Sequence, residues 1–460
     1  MTLIKSISGI RGTIGGVIGK NLTPIDIVKF AAAYGSLLKQ QRSKSTYRVV
    51  IGRDARISGE MLENLVINTM VGMGIDVINL GLSTTPTVEI AVPMEHADGG
   101  IILTASHNPK QWNALKLLDA KGEFLNAKDS QTVLDTAASD SVSFSEVDNL
   151  GKVLYNHAYF DHHIDAVINL DLVNVEAIRK CRFKVVVDGV NSSGGIIVPL
   201  LLEYLGVTTI KLHCIPNGNF PHNPEPLEEH LTDLSEKVVQ SGADFGIAVD
   251  PDVDRLAFMD EKGVLFGEEY TLVACADYVL SQKKGNTVSN LSSTRALRDI
   301  TEKHGAVYTA SAVGEVNVVA AMKATKAVIG GEGNGGIILP ESHYGRDALV
   351  GIALFLSLLA EKQLSVSALK RTYPLYFMSK KKIDLSQGFD VDGLLASMKK
   401  IYKNEPTSSV DGLKINFSDS WVHFRKSNTE PIIRIYTEAA SKEQADALAD
   451  RFISELKSIF

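Results

Sequence analysis

The chain has 460 residues, 45% of them hydrophobic and 22% charged, with a formal net charge of −7. This is the composition of a globular protein with an ordinary core, and the length allows three or four domains. The acidic balance and the lack of a long basic run exclude a nucleic-acid footprint. Cys181, Cys214 and Cys275 are far apart and odd in number. They fit neither a zinc spacing nor a disulfide framework, which predicts a reducing compartment. The opening MTLIKSISGIRG lacks a signal peptide's apolar segment. The longest mostly apolar run, Ala348 to Ala360, is 13 residues. That is too short to span a bilayer and predicts a buried helix, so a cytoplasmic protein with no membrane partner is expected.

In chain order, SGIRGTIGG is a glycine-dense loop carrying Arg11. Thr23-Pro24 starts a helical pattern through Leu38. RVVIGRDARISG (48–59) predicts a β-branched strand ending in Gly-Arg-Asp. A helix over 61–73, a strand over 76–80 and a helix from Pro86 follow. Ile101, Ile102 and Leu103 then lead into TASHNP (104–109), followed by a strand and turn, WNALKLLDAKG, carrying Lys116. Strand–helix alternation of this kind implies a mostly parallel sheet covered on both faces.

The pattern restarts with the strand FKVVV (183–187) and a loop, DGVNSSGG (188–195). PNGNFPHNPEP (216–226) reads as an irregular surface loop. ADFGIAVDPDVDR (243–255) is a strand that ends in acids, and Ala327-Val-Ile329 is one that ends in GGEGNGG (330–336). Apolar strand, polar loop, then helix is the expected device at 48–59, 98–109, 183–195, 243–255 and 326–336. After Tyr373-Pro374 the register changes. Strands over 375–383, 413–417 and 432–436 between helices, closing with a helix over 442–459, predict a small α+β domain. The expected units are 1–148, 149–259, 260–374 and 375–460: three related α/β units with mixed, mostly parallel sheets, plus the smaller fourth.

Asp250, Asp252 and Asp254 fall at alternate positions after a strand, where they repel unless a cation gathers them. Hard oxygen ligands suit Mg²⁺. A calcium loop would place Glu261 twelfth, but its sixth position is Arg255 where Gly is needed. A phosphatase of the haloacid-dehalogenase type, with Asp250 as nucleophile, lacks its later acidic pair, because Asp260-Glu261 lies just past the triad. RKSNTEP (425–431), with Arg434 beyond, has the composition of a phosphate cradle: Arg425 offers a fork, and Ser427 and Thr429 offer neutral donors. Glu332 and Asn334 can bond sugar hydroxyls. A plain turn, an acidic surface loop or a glycine-rich turn would each explain one of these stretches alone.

Together TASHNP, DPDVDR, GGEGNGG and RKSNTEP, in this order over the whole chain, resemble the α-D-phosphohexomutases, which include phosphoglucomutase/phosphomannomutase and phosphoglucosamine mutase enzymes. GIRG and GRDARISG are also similar to the family. Asn334-Gly335-Gly336 stands where many members have Ser-Gly-His, and Lys426 where many have Pro. The resemblance implies four domains around one central cleft. It implies a phosphoryl group on Ser106 and one Mg²⁺ per subunit, held by Asp250, Asp252, Asp254 and a phosphoserine oxygen. Three aspartates and a phosphate dianion sum to about −5, and Mg²⁺ leaves about −3. Arg11, His107, Lys116 and Arg255 are the cations that would complete the site. Lys116 matches the presumed acid/base position, which calls for a pKa lowered by neighbouring cations.

The implied activity interconverts hexose 6-phosphate and hexose 1-phosphate, with a hexose 1,6-bisphosphate as intermediate and activator. Glu332, Asn334, Gly314, Glu315, Arg425, Ser427, Asn428, Thr429 and Arg434 would bind substrate. VGEVNV (313–318) is similar to phosphoglucosamine mutases, which makes glucosamine phosphate the first substrate expectation, ahead of glucose or mannose phosphate. The partner is a small sugar phosphate, and the assembly a monomer or homodimer. A metal-dependent phosphatase and a non-catalytic sugar-phosphate sensor are the other function classes.

Overall fold

The computed structural model describes residues 2–6, 9–41, 44–139, 141–385, 390–426 and 432–459. They form four sheets along the chain. The first holds β1 (Ile4–Ser6), β2 (Gly9–Thr13), β3 (Tyr47–Arg53), β4 (Ile75–Leu82), β5 (Gly99–Leu103), β6 (Trp112–Leu118) and β7 (Val153–Tyr155). Their order is β1-β2-β6-β5-β3-β4-β7. β7 extends this first sheet beyond residue 148. The second holds β8 (Lys184–Asp188), β9 (Thr208–Leu212), β10 (Phe245–Val249) and β11 (Leu256–Met259), ordered β11-β10-β8-β9. The third holds β12 (Asn286–Asn290), β13 (Tyr308–Ser311), β14 (Ala327–Glu332) and β15 (Gly336–Ile338), ordered β13-β12-β14-β15.

Each of these sheets has a parallel centre, and in each a hairpin turns the chain back antiparallel: β5 to β6, β10 to β11 and β14 to β15. The connectors of these three hairpins are TASHNP, DPDVDR and the glycine-rich 332–336 segment. The expected helix after 243–255 and after 326–336 is therefore a strand instead. Both returning strands are short apolar runs of four and three residues, fully buried, and pair at once with the strand before them. The helices expected after 48–59 and 183–195 do form, at Gly59–Gly72 and Gly194–Tyr204. The five-residue β5 and β10 are buried throughout, as parallel central strands must be.

Ala348–Lys362 is a helix buried from Ala348 to Ala360. Its Phe355 stacks on Phe258 at 3.8 Å, and the second and third sheets share one continuous apolar cluster around it. The fourth sheet has a core of its own and is wholly antiparallel. It holds β16 (Phe377–Asp384), β17 (Thr407–Ser408), β18 (Leu413–Asn416), β19 (Trp421–Lys426) and β20 (Ile432–Ala439), ordered β16-β20-β19-β18-β17. β19 went unread in the sequence, although it carries Arg425. Among the described residues no helix is long and apolar enough to cross a membrane.

Candidate active site

Ser106 lies just past β5 with φ of +48°, a left-handed conformation that a non-glycine residue adopts only when its surroundings impose it. Its N–H donates to Thr104 Oγ1 at 2.9 Å. Underneath, the fully buried Arg56 donates to the carbonyls of Ser106, Asn108 (2.7 Å), Pro109 (2.8 Å) and Trp112 (3.0 Å). Arg56 is itself paired with buried Asp54 at 3.0 Å, and Thr104 Oγ1 donates to the same carboxylate at 2.7 Å. One guanidinium therefore fixes the shape of the whole serine loop. Sequence reasoning assigned Asp54 and Arg56 no role, although GRDARISG was the signal that carried them.

Ser106 Oγ donates to Asp250 Oδ2 at 2.6 Å. Asp250, Asp252 and Asp254 are fully buried, and one oxygen of each lies within 4.8 Å of the others. Asp250 Oδ1 accepts from the N–H groups of Asp254 and Arg255, both at 3.1 Å. Asp252 Oδ2 accepts from Thr85 Oγ1 at 2.5 Å and Lys116 Nζ at 2.6 Å. Asp254 Oδ2 accepts from Arg346 at 2.6 Å and Lys116 at 3.3 Å. Asp252 Oδ1 and Asp254 Oδ1 are buried without a hydrogen-bond partner. Burial, with Asp252 and Asp254 alongside, pushes the Asp250 carboxyl well above its usual range. Crowded carboxylates with orphaned buried oxygens fit a hard divalent cation.

Lys116 corrects one expectation. Burial alone would lower its pKa, but Asp252 and Asp254 outweigh burial and raise it. The carboxylates come from the second unit and the lysine from β6 of the first. The cation Arg346 offsets only part of their pull.

The expected cations do converge. His107 Nδ1 is 3.4 Å from Ser106 Oγ. Burial, together with Arg255, Arg346 and Arg11, pushes its pKa well down against the pull of Asp254. Burial, Arg255 and Arg434 lower the Arg11 pKa. The charges of Arg255, from the second unit, and Arg434, from the fourth, are thus felt at Arg11 in the first. The buried Nε atoms of Arg11 and Arg255 have no hydrogen-bond partner, while Arg255 also pairs with Glu225 at 2.8 Å. Like charges held together with unused donors make an anion site. Glu225 comes from the 216–226 loop, whose Phe220 ring also lies 5.0 Å from the Arg56 guanidinium.

At the other end, Glu332 Oε1 accepts from Gly314 N at 3.1 Å and Asn290 Nδ2 at 2.9 Å. Its Oε2 meets Arg346 at 3.0 Å. Glu315 accepts from Arg346 N at 3.1 Å and Nε at 3.0 Å. Asn334 Oδ1 accepts from Gly336 N at 3.2 Å. Arg346 therefore ties Glu315 and Glu332 to Asp254. It went unread because its partners lie 14, 31 and 92 residues away. In the fourth unit Arg425 and Arg434 are directly opposed on β19 and β20. Ser427, Asn428 and Thr429 lie outside the described residues.

Known proteins resemble this chain from end to end. The chain matches the phosphoglucomutase/phosphomannomutase alpha/beta/alpha domain I over residues 4–142, domain II over 159–263 and domain III over 267–376. It matches the C-terminal domain of the same proteins over 382–455. It is 37% identical over 443 residues to a phosphoglucomutase/phosphomannomutase of Thermococcus kodakarensis, covering 94% of this chain and 95% of the relative. It is 31% identical to a phosphoglucosamine/phosphogalactosamine mutase of Sulfurisphaera tokodaii, covering 97% and 98%. The crystal structure of a phosphoglucomutase/phosphomannomutase family protein from Burkholderia thailandensis superposes with a TM-score of 0.85 at 25% identity, covering 99% and 98%. With all four of its domains present in order, the chain belongs to the phosphoglucomutase/phosphomannomutase family of phosphohexomutases, which are isomerases.

Proposed function

We propose that the protein interconverts hexose 6-phosphate and hexose 1-phosphate through phosphorylated Ser106 and a hexose 1,6-bisphosphate. The observation that carries this reading is Ser106 Oγ at 2.6 Å from Asp250, inside the buried acidic triad. The free sugar hydroxyl attacks the phosphorus on Ser106. A new O–P bond forms, the P–Oγ bond breaks, and the hydroxyl proton passes to a base. After the bisphosphate turns over, Ser106 Oγ attacks the other phosphate and the isomerised monophosphate leaves. The hexose 1,6-bisphosphate serves as activator because it can rephosphorylate a bare Ser106.

Asp250, Asp252, Asp254 and the phosphate of Ser106 would hold one Mg²⁺, which when bound offsets the negative charge of carboxylates and phosphoryl oxygens. Lys116 Nζ, held protonated by Asp252 and Asp254, can donate a proton at the triad, and His107 Nδ1, kept neutral, can take one beside Ser106 Oγ. Arg11 and Arg255 stabilise the transferring phosphoryl group. Arg425 and Arg434, with Ser427, Asn428 and Thr429, hold the phosphate that is not reacting. Gly314, Glu315, Glu332 and Asn334 line the sugar.

Glucosamine phosphate is the favoured substrate. Glu315 and Glu332 share the Arg346 guanidinium with Asp254, so the sugar end is rich in carboxyl oxygens that can accept from an ammonium group. Glucose or mannose phosphate is the second reading, favoured by the 37% identical relative. Assays of the three hexose 1-phosphates side by side, with Mg²⁺ and matching bisphosphate, decide between them. Steady release of inorganic phosphate without need of bisphosphate would replace the mutase reading with a phosphatase. Tight binding without turnover of any of the three would replace it with a sensor.

A further inference from the structure

Asp411 lies in the turn between β17 and β18 and makes three contacts, one of them with a cation of the fourth unit. Its Oδ2 is 3.6 Å from Arg425 Nε. The same Oδ2 accepts from the N–H of Val313, in the third unit, at 3.0 Å. Its backbone carbonyl accepts from His423 Nε2 at 2.7 Å. Val313 directly precedes Gly314, whose own N–H goes to Glu332. The turn of the fourth unit thus rests on the loop that leads into the sugar end.

Arg425 needs this carboxylate. It is paired in register with Arg434 on β20, which is in turn opposite Lys382 on β16. Three cations directly abreast on neighbouring strands repel one another unless an anion lies among them. Arg425 and Asp411 are each about one quarter exposed, so their attraction is partly screened and can be exchanged for a stronger one. A phosphate dianion with three acceptor oxygens meets a guanidinium better than a single carboxylate oxygen at 3.6 Å does.

We propose that Asp411 is the resident counter-ion of Arg425, displaced from it by the sugar's phosphate while its hydrogen bond to Val313 persists. Asp411 is then a positioning residue with an affinity-setting role. It keeps Arg425 aimed at the cleft when no substrate is present. It also limits how tightly the non-reacting phosphate is held, which a bisphosphate that must turn over in the site requires. The inference rests on the clamp role given above to Arg425.

Calorimetric titration of glucose 6-phosphate into the full-length protein tests it, in a Ser106→Ala background that prevents turnover. Asp411→Asn keeps the acceptor for Val313 and removes only the charge. It is expected to tighten binding about two- to fivefold, the range of a partly exposed ion pair. Asp411→Ala, which also loses the Val313 contact, separates that loss from the effect of charge. Arg425→Ala weakens binding, and adding Asp411→Asn to Arg425→Ala brings no gain. If Arg425→Ala weakens binding but Asp411→Asn leaves it unchanged or weaker, the counter-ion role is wrong and the clamp stands. If Arg425→Ala leaves affinity unchanged, the clamp and the counter-ion role both fall.

Discussion

Ser106 Oγ and Asp250 Oδ2, 144 residues apart in the chain, meet at 2.6 Å in a buried site. The serine comes from the hairpin β5–β6 and the aspartate from the hairpin β10–β11, so two units must be docked for the contact to exist. A hydroxyl presented to three carboxylates, with Arg11 and Arg255 nearby, is well placed to carry a phosphoryl group.

Peptide mass analysis of the isolated protein is therefore expected to find phosphate on the peptide containing Ser106. Ser106→Ala should abolish mutase turnover and leave the unfolding midpoint near that of the wild type. A fully active Ser106→Ala protein would end the mechanism.

The triad predicts strict dependence on a divalent cation. Activity should vanish in excess chelator and return with Mg²⁺. Asp252→Asn removes one carboxylate of three and leaves Lys116 with less to hold it, so it should weaken Mg²⁺ binding sharply, as read by calorimetry. Undiminished turnover in chelator would show that the acidic cluster serves only the fold.

Arg56 should matter to the serine loop without touching substrate. Replacing it with Met leaves Asp54 as a buried, unpaired carboxyl, at a cost of about 3–5 kcal/mol. Asp54→Asn combined with Arg56→Met should recover part of that loss, because the stranded charge is gone. Urea unfolding measures both, and phosphoserine content by mass should fall in the single variant as the loop loses its anchor. A cost below about 1 kcal/mol, within the range of an ordinary surface change, would contradict the cradle role.

The strands that hold the site were legible because each central one is a short β-branched or apolar run ending abruptly in polar residues, as Val185 to Val187 and Phe245 to Val249 do. The triad was legible because alternate carboxylates after such a strand have no comfortable arrangement without a cation. β11 and β15 were not, since four and three apolar residues carry no period to distinguish strand from helix. β19 was hidden because Trp421-Val-His-Phe runs straight into Arg425-Lys426, which drew the reading toward a loop. The pKa shift of Lys116 was read in the wrong direction for a deeper reason. Its controlling neighbours, Asp252 and Asp254, lie 136 and 138 residues away, and nothing local reveals which charges face it. Arg346 and Asp411 escaped notice for the same cause.

His423 provides a pH test of how the fourth unit docks. Its Nε2–H donates to the Asp411 carbonyl at 2.7 Å, and Nδ1 lies 3.0 Å from Ser292 Oγ in the third unit. A neutral ring satisfies both contacts, with Nδ1 accepting. Burial, joined by Lys414 and Arg425, lowers its pKa to about 4 against the pull of Asp411. The folded pKa lies below the ordinary value, so the unfolded chain binds the proton first as pH falls. The stability linked to His423 is then present above about pH 6.5 and is lost progressively towards pH 4, up to roughly 3 kcal/mol. The Trp421 indole, buried on β19 and with Lys414 Nζ 3.8 Å from its ring, reports locally on this junction once Trp112 is changed to Phe. In that background, urea unfolding followed by Trp421 fluorescence compares the protein with its His423→Gln variant. The variant does not titrate there, so the difference between the two should shrink or reverse from pH 7.5 to pH 4.5. Parallel curves across that range would mean that His423 binds its proton equally in the folded and unfolded protein, and that the neutral contact between the third and fourth units is misassigned.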